Sequence, residues 1–318
     1  MLKKVWEIGE PHFEAEQECP MYRSWPWNGH RRFAYDLIRF IKPERIVELG
    51  TYWGTSFFAF CQAVKDLKLS TECVAIDTWL GDDHTGSYDA EPYETFQQIK
   101  NHIFSSVNIR PLKMRFKEAL SKVVDNSVDL LHIDGCHEYA TVREDYQSWL
   151  PKLKKNGIVL FHDVADTVDY GSVRFWKEIS SDFPHLTFQH SWGLGVLFPK
   201  DRMFYNQIYA NNFSEKMKIY EYHSELDLAL LQISDYEERA KKRNKFIDEQ
   251  HRLMLKKDKI LARKERQIEV EKRESDKQKK LVEKITAALE TEKTRRTRVE
   301  SSFLFRVSSA FNRAFNPK

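Results

Sequence analysis

No glycine or proline occurs between Pro199 and Pro317, although all eleven glycines and nine of the ten prolines lie at or before residue 199. These two residue types are the ones that most often end a helix or turn the chain. More than a hundred residues without them cannot supply the tight turns of an ordinary globular domain. The chain is therefore predicted to have a conventionally folded front part followed by an uninterrupted helical region.

A heptad pattern runs through this helical region. Nine of ten positions in one seven-residue series are apolar, the series being Leu226, Ile233, Ala240, Ile247, Met254, Leu261, Ile268, Ser275, Val282 and Leu289. Such spacing favours a coiled coil, and as one helix residues 226–300 would extend roughly 110 Å at about 1.5 Å per residue. The second stripe is poor, because Asn244, Lys257 and Glu265 interrupt it. We expect a weak homo-oligomeric coil, or one that depends on a folded partner; a solvated single helix is the alternative.

The segment 301–318 has a different composition. Apolar residues that include Phe303, Leu304, Val307 and Phe311 fall on one side at helical spacing, with arginines among the polar positions. An amphipathic helix of this kind suits the membrane interface. Membrane-surface contact by residues 301–318 is our expectation, and docking on another protein or a coil neighbour is the alternative.

Charge divides the chain at nearly the same place. Residues 1–235 carry 26 Lys+Arg and 34 Asp+Glu, a net charge of −8, whereas residues 236–318 carry 25 and 14, a net charge of +11. The basic tail would be drawn to phosphates, while the acidic front argues against nucleic acid as a partner. The four dispersed cysteines suit a reducing compartment. We expect no signal peptide, since the first 18 residues lack an apolar run, and no membrane span, since nowhere are 18 consecutive residues apolar. We expect a cytoplasmic protein, peripheral on the inner face of the membrane.

Between Arg45 and Lys200 short apolar runs alternate with helical stretches. The strand candidates are Ile46–Leu49, Cys73–Ile76, Val128–Ile133 and Gly157–Phe161, and the helix candidates are Ser56–Lys68, Pro92–Asn101, Tyr139–Leu150 and Ser172–Ser181. This alternation predicts a doubly wound, Rossmann-like α/β fold with a mostly parallel sheet, closed by a hairpin over Leu186–Phe198 with Gly193 and Gly195 near its turn. The predicted divisions are an N-terminal extension and lid (1–44), the α/β domain (45–200), a helical connector (201–225), the coil (226–300) and the amphipathic helix (301–318).

Two loops beside the predicted sheet are candidates for contact with a ligand. Trp25 and Trp27 precede a predicted helix at Arg31–Ile41, and they either cap the sheet or form one wall of a substrate pocket. The polar loop Gly81–Tyr88 is either a lid that orders on cofactor binding or an ordinary surface loop.

The first strand candidate leads into a loop that contains Gly50 and Gly54. Glycine lets the backbone approach a ligand, and a helix N-terminus presents free N–H groups to a carboxylate. With Glu48 beside it, such a loop could satisfy a zwitterion, although dinucleotide enzymes also use glycine-rich first turns. The third glycine of the dinucleotide fingerprint is missing. Asp77, at the end of the second strand, could accept hydrogen bonds from ribose hydroxyls; a helix cap or turn former is its alternative role.

Acidic and imidazole side chains follow the next two strand candidates. Asp134 and His137 come after one, and His162 and Asp163 after the other. Because the carboxyl ends of neighbouring parallel strands face the same crevice, these side chains should meet there. Two carboxylates and an imidazole suit a divalent cation whose shell is completed by water and substrate oxygens. The alternative is that each residue caps its own strand end.

The run from Phe33 to Val164 resembles class I S-adenosylmethionine-dependent methyltransferases. It is most similar to the divalent-metal O-methyltransferases of the catechol, macrolide-sugar and surface-polysaccharide type. Residues 47–56 (VELGTYWGTS) resemble their cofactor loop, residues 73–79 (CVAIDTW) their ribose-binding strand end, and residues 130–164 their paired fourth and fifth strands. The resemblance implies a seven-stranded sheet and a methyltransferase activity.

The resemblance also implies roles for particular residues. The residues that would contact S-adenosylmethionine are Glu48, Gly50, Thr51, Gly54, Ser56, Asp77 and Asp134. Asp134, His162 and Asp163 would hold Mg²⁺ or a similar divalent cation. His137 would be the catalytic base, at a position where the catechol enzymes carry a lysine and where a histidine fits the sugar-type branch.

The expected function is therefore transfer of a methyl group to a sugar hydroxyl. The acceptor would be a cell-surface polysaccharide or its lipid-linked precursor, and glycosyltransferases would be further partners. Two other classes of function stay open. One is a metal-dependent small-molecule enzyme of the same fold, such as a hydroxylase; the other is a non-catalytic coiled-coil scaffold whose α/β domain only binds adenosine ligands.

Overall fold

The computed structural model describes residues 4–19, 22, 26–82, 86–87 and 89–315. Its contacts divide the chain into two compact units, Met1–Tyr236 and Glu237–Lys318. The first unit contains the sheet and the second is helical.

A seven-stranded sheet forms the centre of the first unit. Its strands are Arg45–Leu49 (β1), Glu72–Asp77 (β2), Asn108–Lys113 (β5), Val128–Ile133 (β6), Leu153–His162 (β7), His185–Phe188 (β8) and Leu194–Leu197 (β9). Two short strands, Gly81–Asp82 (β3) and Gly86–Ser87 (β4), pair with each other outside this sheet. The order across the sheet is β5-β2-β1-β6-β7-β9-β8, and only β9 is reversed, pairing antiparallel with both β7 and β8. The predicted mostly parallel, seven-stranded α/β sheet is confirmed.

Helices cover both faces of this sheet. In chain order they are Ala15–Glu18 (α1), Arg31–Ile41 (α2), Thr55–Asp66 (α3), Glu91–His102 (α4), Phe116–Ala119 (α5), Tyr139–Trp149 (α6), Gly171–Ser180 (α7), Met203–Tyr209 (α8) and Phe213–Phe315 (α9). The helices α2, α3 and α4 contribute to one apolar core and α5, α6 and α7 to the other. Within β1, Ile46 faces the first core while Val47 and Leu49 face the second. Strands buried on both faces read as continuous apolar runs, which is why the sequence revealed them.

The sequence did not single out the edge strand β5. Asn108–Lys113 contains Pro111 and polar residues, which are typical of an edge strand and weaken the apolar signal. The predicted closing hairpin is present as β8 and β9, but only one of its two glycines lies at the turn. Gly193 has a φ of 91° there, whereas Gly195 lies inside β9, where a Cβ would come within 2.7 Å of the Trp176 ring.

The N-terminal segment and the first turns of α9 pack together on the first unit. The indole N–H of Trp6 donates to the Tyr220 hydroxyl at 2.9 Å, and that hydroxyl donates to Asp36 Oδ2 at 2.7 Å. Burial raises the pKa of Asp36, and the Gly9 backbone N–H also donates to its carboxylate. The start of α9 is therefore part of the folded core of this unit.

The long helix α9 confirms the predicted uninterrupted helical region. It passes through residues 225/226 and 300/301 without a break, while the predicted domain divisions at those points stay predictions. Apolar residues of the heptad series that include Ile247, Met254 and Ile268 are exposed on it. Within the described part of the chain, no helix is both long and apolar enough to cross a membrane.

Candidate active site

A cavity of about 490 Å³ lies at the carboxyl ends of four adjacent strands. Its lining includes residues 50–56 after β1, Asp77 and Thr78 at β2, residues 134–137 after β6, and His162 and Asp163 at β7. At about 4.8 Å between strands, the three intervals from β2 to β7 span roughly 14 Å. We call the part formed by residues 50–56, 77 and 78 the glycine-loop end, and the part formed by Asp134, His137, His162 and Asp163 the carboxylate end. This volume is typical of a small-molecule site.

Two glycines shape the glycine-loop end. Gly50 and Gly54 have φ values of 89° and 93°, which glycine adopts without strain. A Cβ at Gly50 would lie 2.0 Å from the Asp134 carbonyl oxygen, so the loop touches the end of β6 directly. Gly54 immediately precedes α3, whose first residues, Thr55 and Ser56, line the cavity. The helix N-terminus thus opens into the cavity, where its free N–H groups could meet a carboxylate.

Thr51 and Asp77 line the same end. Thr51 is buried, and its hydroxyl oxygen has no hydrogen-bond partner among the described residues. Asp77 accepts hydrogen bonds from the backbone N–H groups of Tyr52, at 2.8 Å, and Trp79, at 2.7 Å. Asp77 therefore fixes the glycine loop, as its alternative role as a turn former required, and it also lines the cavity. Its contact with ribose hydroxyls stays a prediction. Each carboxylate oxygen can accept a further hydrogen bond.

Glu48 lies behind the cavity wall. It is fully buried, and its Oε1 accepts hydrogen bonds from Ser56 Oγ at 2.5 Å and from His132 Nδ1 at 2.8 Å. The Trp27 indole N–H, which can only donate, lies 3.1 Å from His132 Nε2. Nε2 is therefore the acceptor nitrogen of the His132 ring, and Nδ1 carries the hydrogen. Burial raises the pKa of Glu48. The structure thus joins Glu48 to Ser56 and His132; its direct contact with a ligand stays a prediction.

The carboxylate end brings together the three predicted metal ligands. One candidate ligand atom from each of Asp134, His162 and Asp163 lies within 4.8 Å of the others. His162 Nδ1 is 3.3 Å from Asp134 Oδ1 and 3.2 Å from Asp163 Oδ2. Burial opposes a charge on His162, but the two carboxylates outweigh it and raise its pKa to about 10. The Nδ1 proton of His162 therefore lies between two carboxylates. A divalent cation can take the place of such a proton.

The donor set at this end fits a divalent cation. Asp163 Oδ1 is buried and has no hydrogen-bond partner among the described residues, and Asp163 adopts a left-handed φ of 59°. Strained backbone of this kind is concentrated at functional sites. Two carboxylates with one imidazole suit Mg²⁺ or a first-row transition metal.

His137, the predicted base, joins the same cluster. Its Nε2 lies 2.7 Å from Asp163 Oδ2, and its ring lies 4.8 Å from the Tyr170 ring. Burial lowers the pKa of His137, but Asp163 and Asp134 together raise it above the ordinary value. The structure therefore brings together all four predicted residues of the carboxylate end.

The cavity also has walls that sequence reasoning missed. Arg115 and Phe116 border one part of the cavity, and Tyr170 and Trp192 border the carboxylate end. The only sequence signal for the latter pair was a glycine directly after each aromatic residue. Trp27 lines the cavity, which agrees with the alternative in which the two tryptophans form a pocket wall. Trp25 lies outside the described residues. Of the predicted lid loop, Gly81 lines the cavity, and residues 83–85 and 88 are also outside the description.

Residues 47–164 match a family model whose description is a methyltransferase domain. This segment contains every site residue predicted from the sequence, from Glu48 to Asp163. The family match thus covers the strand ends on which the resemblance to methyltransferases rests.

Relatives with curated sequences match the front part of the chain. An uncharacterized protein, y4gI, of Sinorhizobium fredii is 41% identical over 193 residues, which is 60% of this chain and 20% of that protein. An uncharacterized protein, R132, of Acanthamoeba polyphaga mimivirus is 28% identical over 124 residues, which is 38% of this chain and 51% of that protein. The chain thus spans about a fifth and about half of these relatives.

The solved structures to which the chain is similar include two methyltransferases. The SAH-bound Podospora anserina methyltransferase PaMTH1 has 16% identity and a TM-score of 0.46, covering 61% of this chain and 91% of that one. A methyltransferase from Geobacter sulfurreducens has 16% identity and a TM-score of 0.44, covering 59% and 88%.

Proposed function

We propose that this protein is an S-adenosylmethionine-dependent O-methyltransferase that acts, with a divalent cation, on a sugar hydroxyl. The observation that carries the proposal is the continuity of the cavity, which contains both the glycine loop with Asp77 and the cluster of Asp134, His162 and Asp163. A methyl donor and a metal-chelated acceptor need to lie next to each other for direct transfer. The family match of residues 47–164 supports the same reaction class.

Residues of the glycine-loop end would hold S-adenosylmethionine. The start of α3 beyond Gly54 suits the carboxylate of its methionine part, and the Thr51 hydroxyl is an additional donor or acceptor there. Asp77 would accept hydrogen bonds from the ribose hydroxyls. Asp134, His162 and Asp163 would hold the cation. When bound, S-adenosylmethionine supplies an electrophilic methyl group, and the cation supplies a Lewis acid that lowers the pKa of an acceptor hydroxyl.

His137 would receive the proton of the acceptor hydroxyl. Its hydrogen bond to Asp163 Oδ2 fixes the orientation of the imidazole and stabilises its protonated form. Asp163 Oδ1, which has no partner in the described part of the chain, would be the oxygen that faces the cation. The same carboxylate would therefore link the base to the metal site.

The acceptor is proposed to be a cell-surface polysaccharide or its lipid-linked precursor, met at a membrane surface. Support comes from the net charge of +11 over residues 236–318 and from the exposed Phe303, Leu304 and Val307. Anionic lipid attracts such a basic segment, and the apolar residues would enter the interface. Glycosyltransferases that build the chain would be neighbouring partners.

Flotation of the full-length protein with anionic vesicles tests the membrane part of this proposal. We expect the Phe303→Ser/Val307→Ser variant to float several-fold less than the wild type. Phe305 is exposed but lies off the apolar side, so Phe305→Ser is the matched control and should float normally. Equal flotation of all three proteins would refute membrane contact by this segment.

Binding of S-adenosylmethionine to the purified protein, followed by calorimetry with Mg²⁺ or Mn²⁺ and with EDTA, tests the enzymatic proposal. We expect S-adenosylmethionine to bind in the presence of the metal. We also expect a sugar product in which a methyl group has replaced one hydroxyl hydrogen. A product heavier by one oxygen would identify a hydroxylase instead. Absence of binding under every condition would refute the methyltransferase and leave a scaffold as the better explanation.

A further inference from the structure

We propose that Trp192 is the residue on which the acceptor stacks, and that it selects a pyranose ring. This inference rests on the proposed function, because it concerns the acceptor side of the same cavity. It adds a specificity-determining residue that no sequence motif indicates.

The β8–β9 hairpin carries Trp192 to the carboxylate end. Leu194, at the start of β9, pairs with His162, the last residue of β7. Trp192 precedes Leu194 by two residues, and its carbonyl oxygen accepts a hydrogen bond from the Ala165 backbone N–H at 2.9 Å. The indole therefore lines the cavity next to the predicted metal ligands and away from Asp77.

The backbone at this point is strained. Ser191, Trp192 and Gly193 have φ values of 50°, 65° and 91°, so three successive residues lie in the left-handed region and only one is a glycine. For a bulky side chain this conformation is unfavourable. It persists only where the surroundings determine it strongly, and such places are concentrated at binding and catalytic sites.

Several hydrogen bonds hold the turn in this conformation. The Ser191 carbonyl oxygen is 3.1 Å from the Nε2 atoms of both His30 and His162. Its hydroxyl is 3.1 Å from that of Ser224 in α9, and the Gly193 N–H donates to the His190 carbonyl oxygen. Contacts from three separate elements thus fix the turn backbone that carries the indole.

Trp192 is nevertheless 46% exposed. The six other tryptophans in the described part of the chain are at most 8% exposed. Its ring lies 6.4 Å from that of Tyr170 at an interplanar angle of 72°, and Tyr170 in turn contacts His137. A large apolar ring that stands on a fixed turn and is left open beside charged groups is suited to a ligand with one apolar face and one polar edge.

A pyranose has these two surfaces. Its axial C–H groups form an apolar face that an indole can cover, and its hydroxyls form the edge. The carboxylate end offers those hydroxyls His137 and the cation that Asp134, His162 and Asp163 would hold. The acceptor class that fits is therefore a hexose or deoxyhexose unit, stacked on Trp192 with a hydroxyl directed to the carboxylate end.

Saturation-transfer NMR on the full-length protein tests this proposal. The protein would be loaded with S-adenosylhomocysteine and Mg²⁺ and titrated with methyl glycosides of the common hexoses and 6-deoxyhexoses, with 3,4-dihydroxybenzoate as a planar comparison. We expect at least one pyranoside to bind with saturation centred on its ring C–H groups. Trp192→Phe should keep this binding within a few-fold, and Trp192→Gly should weaken it at least tenfold.

The glycine variant is chosen because it relieves the positive φ while it removes the ring, so it should fold. Tyr209→Ala, which truncates an exposed aromatic residue of α8, is the matched control and should bind as the wild type does. Unchanged S-adenosylhomocysteine affinity in Trp192→Gly would separate an acceptor role from a general defect. The proposal fails if no pyranoside binds the loaded wild type, if Trp192→Gly binds pyranosides equally well, or if only the planar diol depends on Trp192. Failure of S-adenosylhomocysteine to bind the wild type would instead refute the proposed function itself.

Discussion

The indole N–H of Trp27 donates a hydrogen bond to Nε2 of His132 at 3.1 Å, across 105 residues of sequence. His132 donates from its other nitrogen to Glu48, whose carboxylate also holds Ser56 at the start of α3. A residue before the sheet thereby supports the loop that forms the glycine-loop end. All four side chains are buried, so each polar group depends on its partner.

Replacement of Trp27 by phenylalanine should destabilise the protein by about 1–3 kcal/mol beyond the loss of ring volume, because it leaves His132 Nε2 buried without a donor. Trp149→Phe is the control, since Trp149 is also buried but its indole nitrogen has no hydrogen-bond partner in the described part of the chain. Thermal unfolding followed by circular dichroism measures the difference. Equal shifts in Tm for the two variants would argue against the hydrogen-bonded relay.

Asp77→Ala should weaken S-adenosylhomocysteine binding by roughly 10–100-fold, because hydrogen bonds to a charged acceptor contribute about 1.5–3 kcal/mol. Asp129 provides the matched control at the opposite end of β1, where it accepts backbone N–H bonds from Glu44 and Arg45. Asp129→Ala removes a similar set of backbone bonds outside the cavity. Calorimetry should show near-normal affinity for it, and a comparable loss in both variants would mean that Asp77 acts only through the fold.

Asp134→Asn should weaken Mn²⁺ binding at least tenfold, since it removes one charge from a cluster of only two carboxylates and one imidazole. Electron paramagnetic resonance of Mn²⁺ titrated into the protein gives the affinity directly. Asp166→Asn removes an exposed carboxylate that pairs with Lys177, only three residues after Asp163, and should leave the affinity unchanged. Tight Mn²⁺ binding by Asp134→Asn would exclude this cluster as the metal site.

Asp145 should make the stability of the protein depend on pH. Burial raises its pKa to about 7, with a smaller contribution from Glu144, and its Oδ2 has no hydrogen-bond partner in the described part of the chain. The folded state then holds a proton that the unfolded chain releases near pH 4, so the free energy of unfolding falls as the pH rises from about 4 to 7. Asp145→Asn should therefore stabilise the protein at pH 8, by on the order of 2 kcal/mol, and much less at pH 4.

Chemical denaturation of the wild type and of Asp145→Asn at these two pH values measures this effect. Asp182→Asn, which neutralises an exposed carboxylate, tests the loss of charge alone. A wild type and an Asp145→Asn variant that differ equally at both pH values would contradict the assignment.

Ile268→Glu should disrupt self-association of the long helix if the heptad stripe forms a coiled coil with a second copy. Val270 is equally exposed, at 64% against 63% for Ile268, but lies about 200° away around the helix. Light scattering should give a lower molar mass for Ile268→Glu and an unchanged mass for Val270→Glu. A monomeric wild type would leave the solvated single helix as the correct description.

The elements that the sequence predicted well are those whose signal is local. Val128–Ile133 is a mostly apolar run and Ile158–Phe161 a continuous one, and chemically distinctive residues follow each, so both the strands and the residues at their ends could be identified. Helix α2 was predicted with the bounds that the structure has, because its apolar periodicity is strong. The edge strand β5 was not, because half-exposed polar residues carry little strand signal.

The parts of the site that escaped prediction depend on contacts between distant segments. No local sequence pattern near Trp192 indicates that a hairpin brings it beside His162. Likewise, no pattern near Trp27 indicates its hydrogen bond to His132. Glu48 looked like a ligand-facing residue at its strand end, and only the packed structure shows Ser56 and His132 already engaging its carboxylate. Contacts behind the cavity wall, such as those of Glu48, are determined by tertiary geometry, which single-sequence patterns do not encode.

The hydrogen bond between Trp6 and Tyr220 has a consequence for how the protein is made. Its two partners are 214 positions apart, and a ribosome that adds about 5–20 residues per second needs roughly 10–40 s to synthesise that interval. During this time the N-terminal segment has been made but its docking surface has not. The Trp6 indole N–H and Asp36 Oδ2 therefore lack the Tyr220 hydroxyl as a partner until the first turns of α9 leave the exit tunnel. Folding of the first unit is thus completed late in translation, and a ribosome that stalled before residue 220 would hold an incompletely folded protein.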